Sequence, residues 1–248
     1  MTARFGVFLF WLLHFLPFRL LVVIGNLLGL LLYATASERR MVANVNIKLC
    51  FPQMSLALRK RLVRKNFQAF GRSLLERSIL WWSSAKRINS LIRVEGEEHF
   101  NAVKGKPVIL LTPHFVGMDA GGQWISQRTD VVCMYAHQKN KYLNDLVLEK
   151  RCRFGHQRLY SRQEGLRPII KGLRSGMPFV YPPDQDQGVR DGAFIPFFGV
   201  PAATMASVSR IAKITSAKVV PSITCVLPGA AGYVLTFYPA WEDRKSVV

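Results

Sequence analysis

The chain has 248 residues, half of them hydrophobic, which is enough to build one sizeable domain and leaves more apolar material than a soluble domain needs. Lys and Arg number 34 against 15 Asp and Glu, a net charge of +19, so an anionic partner is expected: nucleic acid, anionic lipid headgroups or an acidic carrier protein. Cys50, Cys133, Cys152 and Cys225 form no C-x-x-C pair and have no metal-ligand spacing with histidine, which points away from a zinc site or disulfide framework and toward reduced, cytosol-facing thiols.

Between Phe5 and Ala34 only His14 and Arg19 can carry charge near neutral pH. A continuous helix of that length would run about 45 Å, enough to span a hydrocarbon core of ~30 Å. Pro17 and Arg19 divide it into an interfacial piece and a shorter helix from Leu20 to Tyr33, so a tilted or re-entrant anchor fits as well as a simple span. The stretch is too long for the apolar part of a signal peptide and follows no basic segment beyond Arg4. An N-terminal hydrophobic membrane-anchor helix is therefore expected within residues 1–36, with a single domain over 37–248. Arg39, Arg40, Lys48, Arg59, Lys60, Arg61, Arg64 and Lys65 place that domain on the cytoplasmic side of an anionic membrane surface.

Residues 55–82 carry Leu58, Leu62, Phe67, Phe70, Leu74 and Leu75 as a stripe opposite cations, a basic amphipathic helix or helix pair. It either packs on the core or lies on a membrane surface with Trp81 and Trp82, and both roles are compatible. Strands are then expected at "PVILLT" (107–112), "DVVCMYA" (130–136), "MPFVYPP" (177–183), "AKVVPSITCV" (217–226) and "GYVLTFYPA" (232–240). Helices are expected at 119–127, 144–154, 163–175 and 204–214. The alternation predicts an α/β fold with a central, largely parallel sheet flanked by helices and a site at the carboxyl ends of its strands.

One such end holds "TPHFVGMD", with His114 and Asp119 five positions apart. On one helix they would stand about 140° apart, so the pair requires a bend, with Pro113 ending the strand and Gly117 letting the backbone turn. The spacing suits an acid-oriented base that deprotonates a hydroxyl attacking a thioester. No G-x-S-x-G elbow or plausible cysteine nucleophile accompanies it, so direct transfer is expected rather than an acyl-enzyme. The stretch "KRCRFGHQRLYSR" (150–162) reads either as a solvated basic loop or as a phosphate clamp built on Arg151, Arg153 and Arg162. In "PDQDQG", Asp184 and Asp186 form either a D-x-D element that holds a divalent cation and nucleotide sugar or part of a rigid turn lining a cleft.

The segments "NVNIKLCFP", "LLTPHFVGMD", "RLYSRQEGLRPIIKGLRSGMPFVYPPDQDQG" and "FIPFFGVPAATMASVSRIA" resemble the bacterial lipid A biosynthesis late acyltransferases of the lysophospholipid acyltransferase superfamily. The resemblance runs from about Phe5 to Tyr238. It implies an inner-membrane enzyme facing the cytoplasm that moves a fatty acyl group from acyl carrier protein, or acyl-CoA, to a hydroxyl of a Kdo-bearing lipid A precursor, with no metal or redox cofactor. His114 then matches the family base, Asp119 its acidic partner, Arg151 or Arg153 the arginine beyond the dyad, and Asp184 the acidic residue after the later strand. Members of the family usually continue well past "PAWEDRKSVV", so a truncated C-terminus is expected. The rivals are acyl transfer to another glycolipid, phospholipid or ornithine lipid, a D-x-D glycosyltransferase, and a membrane-tethered nucleic-acid binder. Against the last, the cations form no helix-turn-helix, zinc-finger or aromatic-interleaved ribonucleoprotein motif, and no nucleic-acid partner is expected.

Overall fold

The computed structural model describes residues 2–185, 192–205 and 207–241. In chain order it contains α1 (Thr2–Leu12), α2 (Phe18–Thr35), α3 (Ser37–Cys50), α4 (Leu56–Trp82), α5 (Ala85–Asn89), β1 (Ile92–Glu95), α6 (Glu97–Asn101), β2 (Val108–Leu111), α7 (Met118–Ser126), β3 (Val132–Tyr135) and α8 (Lys141–Arg151). There follow β4 (Arg158–Ser161), α9 (Arg167–Arg174), β5 (Phe179–Tyr181), β6 (Gly192–Phe197), β7 (Val200–Met205), α10 (Ser207–Thr215), β8 (Lys218–Val226) and β9 (Tyr233–Phe237). Single 3-10 turns lie at Leu13–Phe15 and Arg162–Glu164.

The chain divides into two units. The first holds α1 to α4 and the hairpin β6–β7. Its apolar N-terminal segment breaks before Pro17, as the ring requires, and α2 is the one helix among the described residues long and apolar enough to cross a membrane. The basic amphipathic stretch is a single helix, α4, started by the Ser55 hydroxyl accepting from the Leu58 N–H. α2 and α4 touch backbone to backbone. A Cβ built on Gly29 would stand 2.4 Å from the Phe67 carbonyl oxygen, and one on Gly71 would stand 2.4 Å from that of Gly25. Only glycine permits this approach, the small-residue packing that helices of apolar sequence use. The hairpin turns at Phe198 and Gly199, both with positive φ, the backbone of a tight hairpin turn whose twist matches its strands.

The second unit holds a seven-stranded sheet in the order β1-β9-β8-β2-β5-β3-β4. β8, β2, β5, β3 and β4 are mutually parallel, β9 runs antiparallel to β8, and β1 is parallel to β9. β2 is central and buried on both faces, so Val108, Ile109 and Leu110 form the continuous apolar run that such a strand requires. On one face Ile109, Phe179 and Val219 pack with Ile169 and Leu173 of α9 and Ile211 of α10. Elsewhere in this unit the rings of Phe100, Trp124 and Phe237 form a cluster, with Phe100 and Phe237 stacked at 5.0 Å.

The largely parallel sheet flanked by helices matches the sequence expectation, and all five expected strands are present. β1, β4, β6, β7, α3, α5 and α6 were not read from the sequence. β4 hides within the cationic stretch because its polar residues give no apolar run.

Candidate active site

The connections of the sheet determine where a site can form. From β2 the chain moves by way of α7 to β3, on the far side of β5. From β5 it returns to β8, on the far side of β2. Strands β2 and β5 are parallel neighbours, so the segments that follow their carboxyl ends emerge side by side at one edge of the sheet. His114 follows β2 and Asp184 follows β5.

Thr112 extends the pairing by donating its N–H to the Tyr181 carbonyl at 3.0 Å, after which Pro113 ends the ladder. The Asp184 carboxylate then grips His114 twice. Oδ2 accepts the His114 backbone N–H at 2.8 Å, and Oδ1 stands 2.7 Å from the imidazole Nδ1. An ionised carboxylate only accepts, so Nδ1 carries the proton and Nε2 bears the lone pair. The pair is about one-third exposed, open enough for a substrate to reach it.

Asp119 lies in the first turn of α7, on the same edge of the sheet, where the positive end of the helix dipole favours a carboxylate. The position of α7 is fixed by contact with β8. A Cβ on Gly117 would come 2.9 Å from the Thr224 carbonyl oxygen, and one on Gly121 would come 2.1 Å from the Thr224 hydroxyl. Gly117 has an ordinary helical conformation, φ −83, so its role is to leave space, not to supply the unusual backbone freedom expected from the sequence.

Arg162 also belongs to this edge. It opens the turn after β4, which is held by a capping box between Ser161 and Glu164. The hydrogen bonds from Ser161 hold the Glu164 carboxyl below its ordinary range. His137, which sequence reading passed over, lies just beyond β3, 3.2 Å from the Tyr135 hydroxyl.

Arg151 and Arg153 are placed differently. α8 returns the chain to the amino end of β4, and the turn after it is tied to the residues that precede β3: the His156 N–H donates to Asp130 Oδ1 at 2.7 Å, and the Val131 N–H to Gln157 Oε1 at 2.8 Å. The two arginines are thus at the opposite edge of the sheet from His114, one strand length of about 13 Å away along the strands. Arg153 lies over the Phe154 ring, and burial lowers its pKa. It borders a cleft of about 660 Å³ formed by residues 126–130 and 153–155 with Ala85. Asp186 lies outside the described residues. Among the described residues no group of three or more His, Cys, Asp or Glu is arranged to hold a metal.

Comparison with known proteins assigns a class to this architecture. The sequence pattern of the bacterial lipid A biosynthesis acyltransferases matches residues 1–246. A lipid A biosynthesis acyltransferase of Haemophilus influenzae is 29% identical over 95% of this chain and 74% of its own length. The lipid A biosynthesis lauroyltransferase of Escherichia coli is 30% identical over 94% of this chain and 77% of its own. The myristoyltransferase of the same organism is 31% identical over 75% of this chain and 58% of its own. The protein is an acyltransferase. It belongs to the bacterial lipid A biosynthesis acyltransferase family.

Proposed function

We propose that the protein transfers a fatty acyl group from the thioester of acyl carrier protein to a hydroxyl of a Kdo-bearing lipid A precursor, at the cytoplasmic face of the bacterial inner membrane. His114 is the general base. The Nε2 lone pair takes the proton of the acceptor hydroxyl as its oxygen attacks the thioester carbonyl. Collapse of the tetrahedral adduct breaks the carbon–sulfur bond, and the imidazolium returns the proton to the departing thiolate, so protons balance within one turnover. Asp184 holds the tautomer that leaves Nε2 free and stabilises the imidazolium. Asp119 supplies the second carboxylate of the His-x4-Asp pattern. Arg162 meets a phosphate or carboxylate of the acceptor, and Asp186, two positions after Asp184 in sequence, completes the substrate-binding set. Arg151 and Arg153, at the other edge, would meet an anion away from the reacting atoms.

The observation that carries this reading is the two-point grip of Asp184 on His114 beyond the carboxyl ends of β2 and β5, in a chain of this family. The +19 charge supports an acidic carrier, a phosphorylated acceptor and an anionic membrane surface.

The test is the lipid A mass spectrum of cells with and without the gene. Loss of one acyl chain from lipid A is the expected result. An unchanged spectrum, with acyl groups lost instead from an ornithine lipid or phospholipid, would move the acceptor to another lipid. A purified enzyme that used acyl-CoA and not the carrier would replace the donor.

A further inference from the structure

α2 passes for a membrane span by length and composition, but its surroundings in the first unit do not suit one. Its inner face is covered by α4 along most of its length. Gly25 packs on Arg72, Gly29 packs on Gln68, and the rings of Tyr33 and Phe67 meet edge to face at 5.6 Å. Residue numbers rise along α2 as they fall along α4, so the two helices are antiparallel neighbours. If α2 crossed a bilayer, α4 would have to cross beside it. Gln68, Arg72, Ser73, Glu76, Arg77 and Ser78 fall in the part of α4 that would then lie in hydrocarbon, where charged and polar side chains are costly to place. Arg72 and Glu76 pair with each other at 2.8 Å, which reduces the cost for those two but does not make α4 apolar.

The outer surface of the unit has a different character. Leu20, Val23, Leu27 and Leu31 are exposed along one stripe of α2. α3 also exposes Met41, Val42, Val45 and Leu49 on one side, with Lys48 at the border of that stripe and Glu38 at its N-terminal end. α1 adds Phe5, Phe8, Leu9 and Leu12. The turn from α2 to α3 is closed by the Arg40 guanidinium, which donates to the carbonyls of Tyr33 and Ala34. Apolar stripes bordered by cations, beside a ring cluster in which Phe10, Trp81 and Trp82 meet and His14 links Trp82 to Trp11, have the composition of helices that lie in a membrane interface.

Building on the membrane reading above, we infer that the α1–α4 unit is monotopic: α1, α2 and α3 press their apolar stripes into the acyl chains of one leaflet, α4 backs α2 on its aqueous side, and neither helix crosses. The occupant of these stripes is lipid. The anchor accordingly includes α3 and α4 as well as residues 1–36.

The unaltered chain can test this in sealed inner-membrane vesicles of both orientations, treated with an impermeant amine reagent and read by peptide mass spectrometry. Lys48 and Lys60 lie toward the far end of the α2–α4 pair, and Lys86 lies four residues beyond α4. All three should be modified from the same, cytoplasmic side. If Lys48 and Lys60 react from one side and Lys86 from the other, the pair spans and the inference fails. Spin labels at Leu27→Cys and Val45→Cys provide the second reading. Collision with oxygen at both positions, without access to a water-soluble nickel complex, is expected. Nickel access at both, or protection only on forming a dimer, would remove lipid as the occupant. Protein that washes off the vesicles altogether would overturn the membrane reading itself.

Discussion

His114 and Asp184 lie 70 positions apart in sequence and 2.7 Å apart in space, and the proposed chemistry depends on that contact. His114→Ala removes the base and should lower kcat/KM about 10²- to 10⁴-fold. Asp184→Asn keeps the shape but can present an N–H to Nδ1 and so reverse the tautomer; a loss of similar size is expected, with the thermal transition kept within a few degrees. Steady-state rates with circular-dichroism melts check both, and an Asp184→Asn enzyme of normal rate would remove that residue from the mechanism. The sequence made His114 legible because a histidine between a strand-ending proline and a helix is rare furniture for a core. It could not reveal the grip of Asp184, since nothing local records that β2 and β5 become neighbours. The cysteines give an independent check of burial. Cys225 is exposed, whereas burial pushes the Cys133 thiol up to about 11. Iodoacetamide at pH 8 should therefore modify Cys225 and leave Cys133 intact. Cys133 should react only as the pH approaches its raised value, where the thiolate forms, or once the chain unfolds.

At the scale of elements, glycines decide where the helices sit. Gly121→Ala forces a methyl group into the Thr224 hydroxyl and should destabilise the fold by about 1–3 kcal/mol while tilting α7 and the His114 turn with it. Adding Thr224→Ala removes the obstructing atom, so the double variant should recover most of both the melting temperature and the activity. Failure to recover would mean that α7 is placed by something else. In the first unit, Gly29→Leu should cost a similar amount through α4, whereas Gly6→Ala, which meets no atom within 4 Å, should be neutral. A melt in detergent reads both. These contacts also mark the limit of sequence reading. Apolar runs such as "PVILLT" announce buried parallel strands, but Gly117 looked like a hinge until β8 was seen against it. The hairpin β6–β7 went unread because its turn places Phe198, a bulky residue, in a backbone conformation that usually signals its presence by Asn or Gly.

At the scale of the whole molecule, charge and apolar surface are divided between tasks. Under the proposed function the excess of cations would serve acidic substrates and an anionic surface, the apolar stripes of the first unit would serve lipid, and the sheet of the second unit would hold the site. Arg162, at the same sheet edge as His114, should be the arginine that acceptor binding feels. Arg162→Lys replaces a two-pronged donor with a point charge and should raise KM for the acceptor about tenfold, equivalent to ~1.4 kcal/mol, with little change in kcat. Arg153→Lys should leave acceptor KM within about twofold, which initial-rate kinetics on the pair can establish. Base catalysis of acyl transfer by His114 is the step on which the proposed function depends. Its most direct test is ester formation by the purified protein from an acyl carrier protein thioester and a Kdo-bearing lipid A precursor, followed by mass spectrometry, with His114→Ala assayed beside the unaltered enzyme. One added acyl chain per acceptor is expected for the unaltered enzyme and at least a hundredfold slower transfer for the variant, within the range for loss of a general base; equal rates for the two would contradict base catalysis by His114.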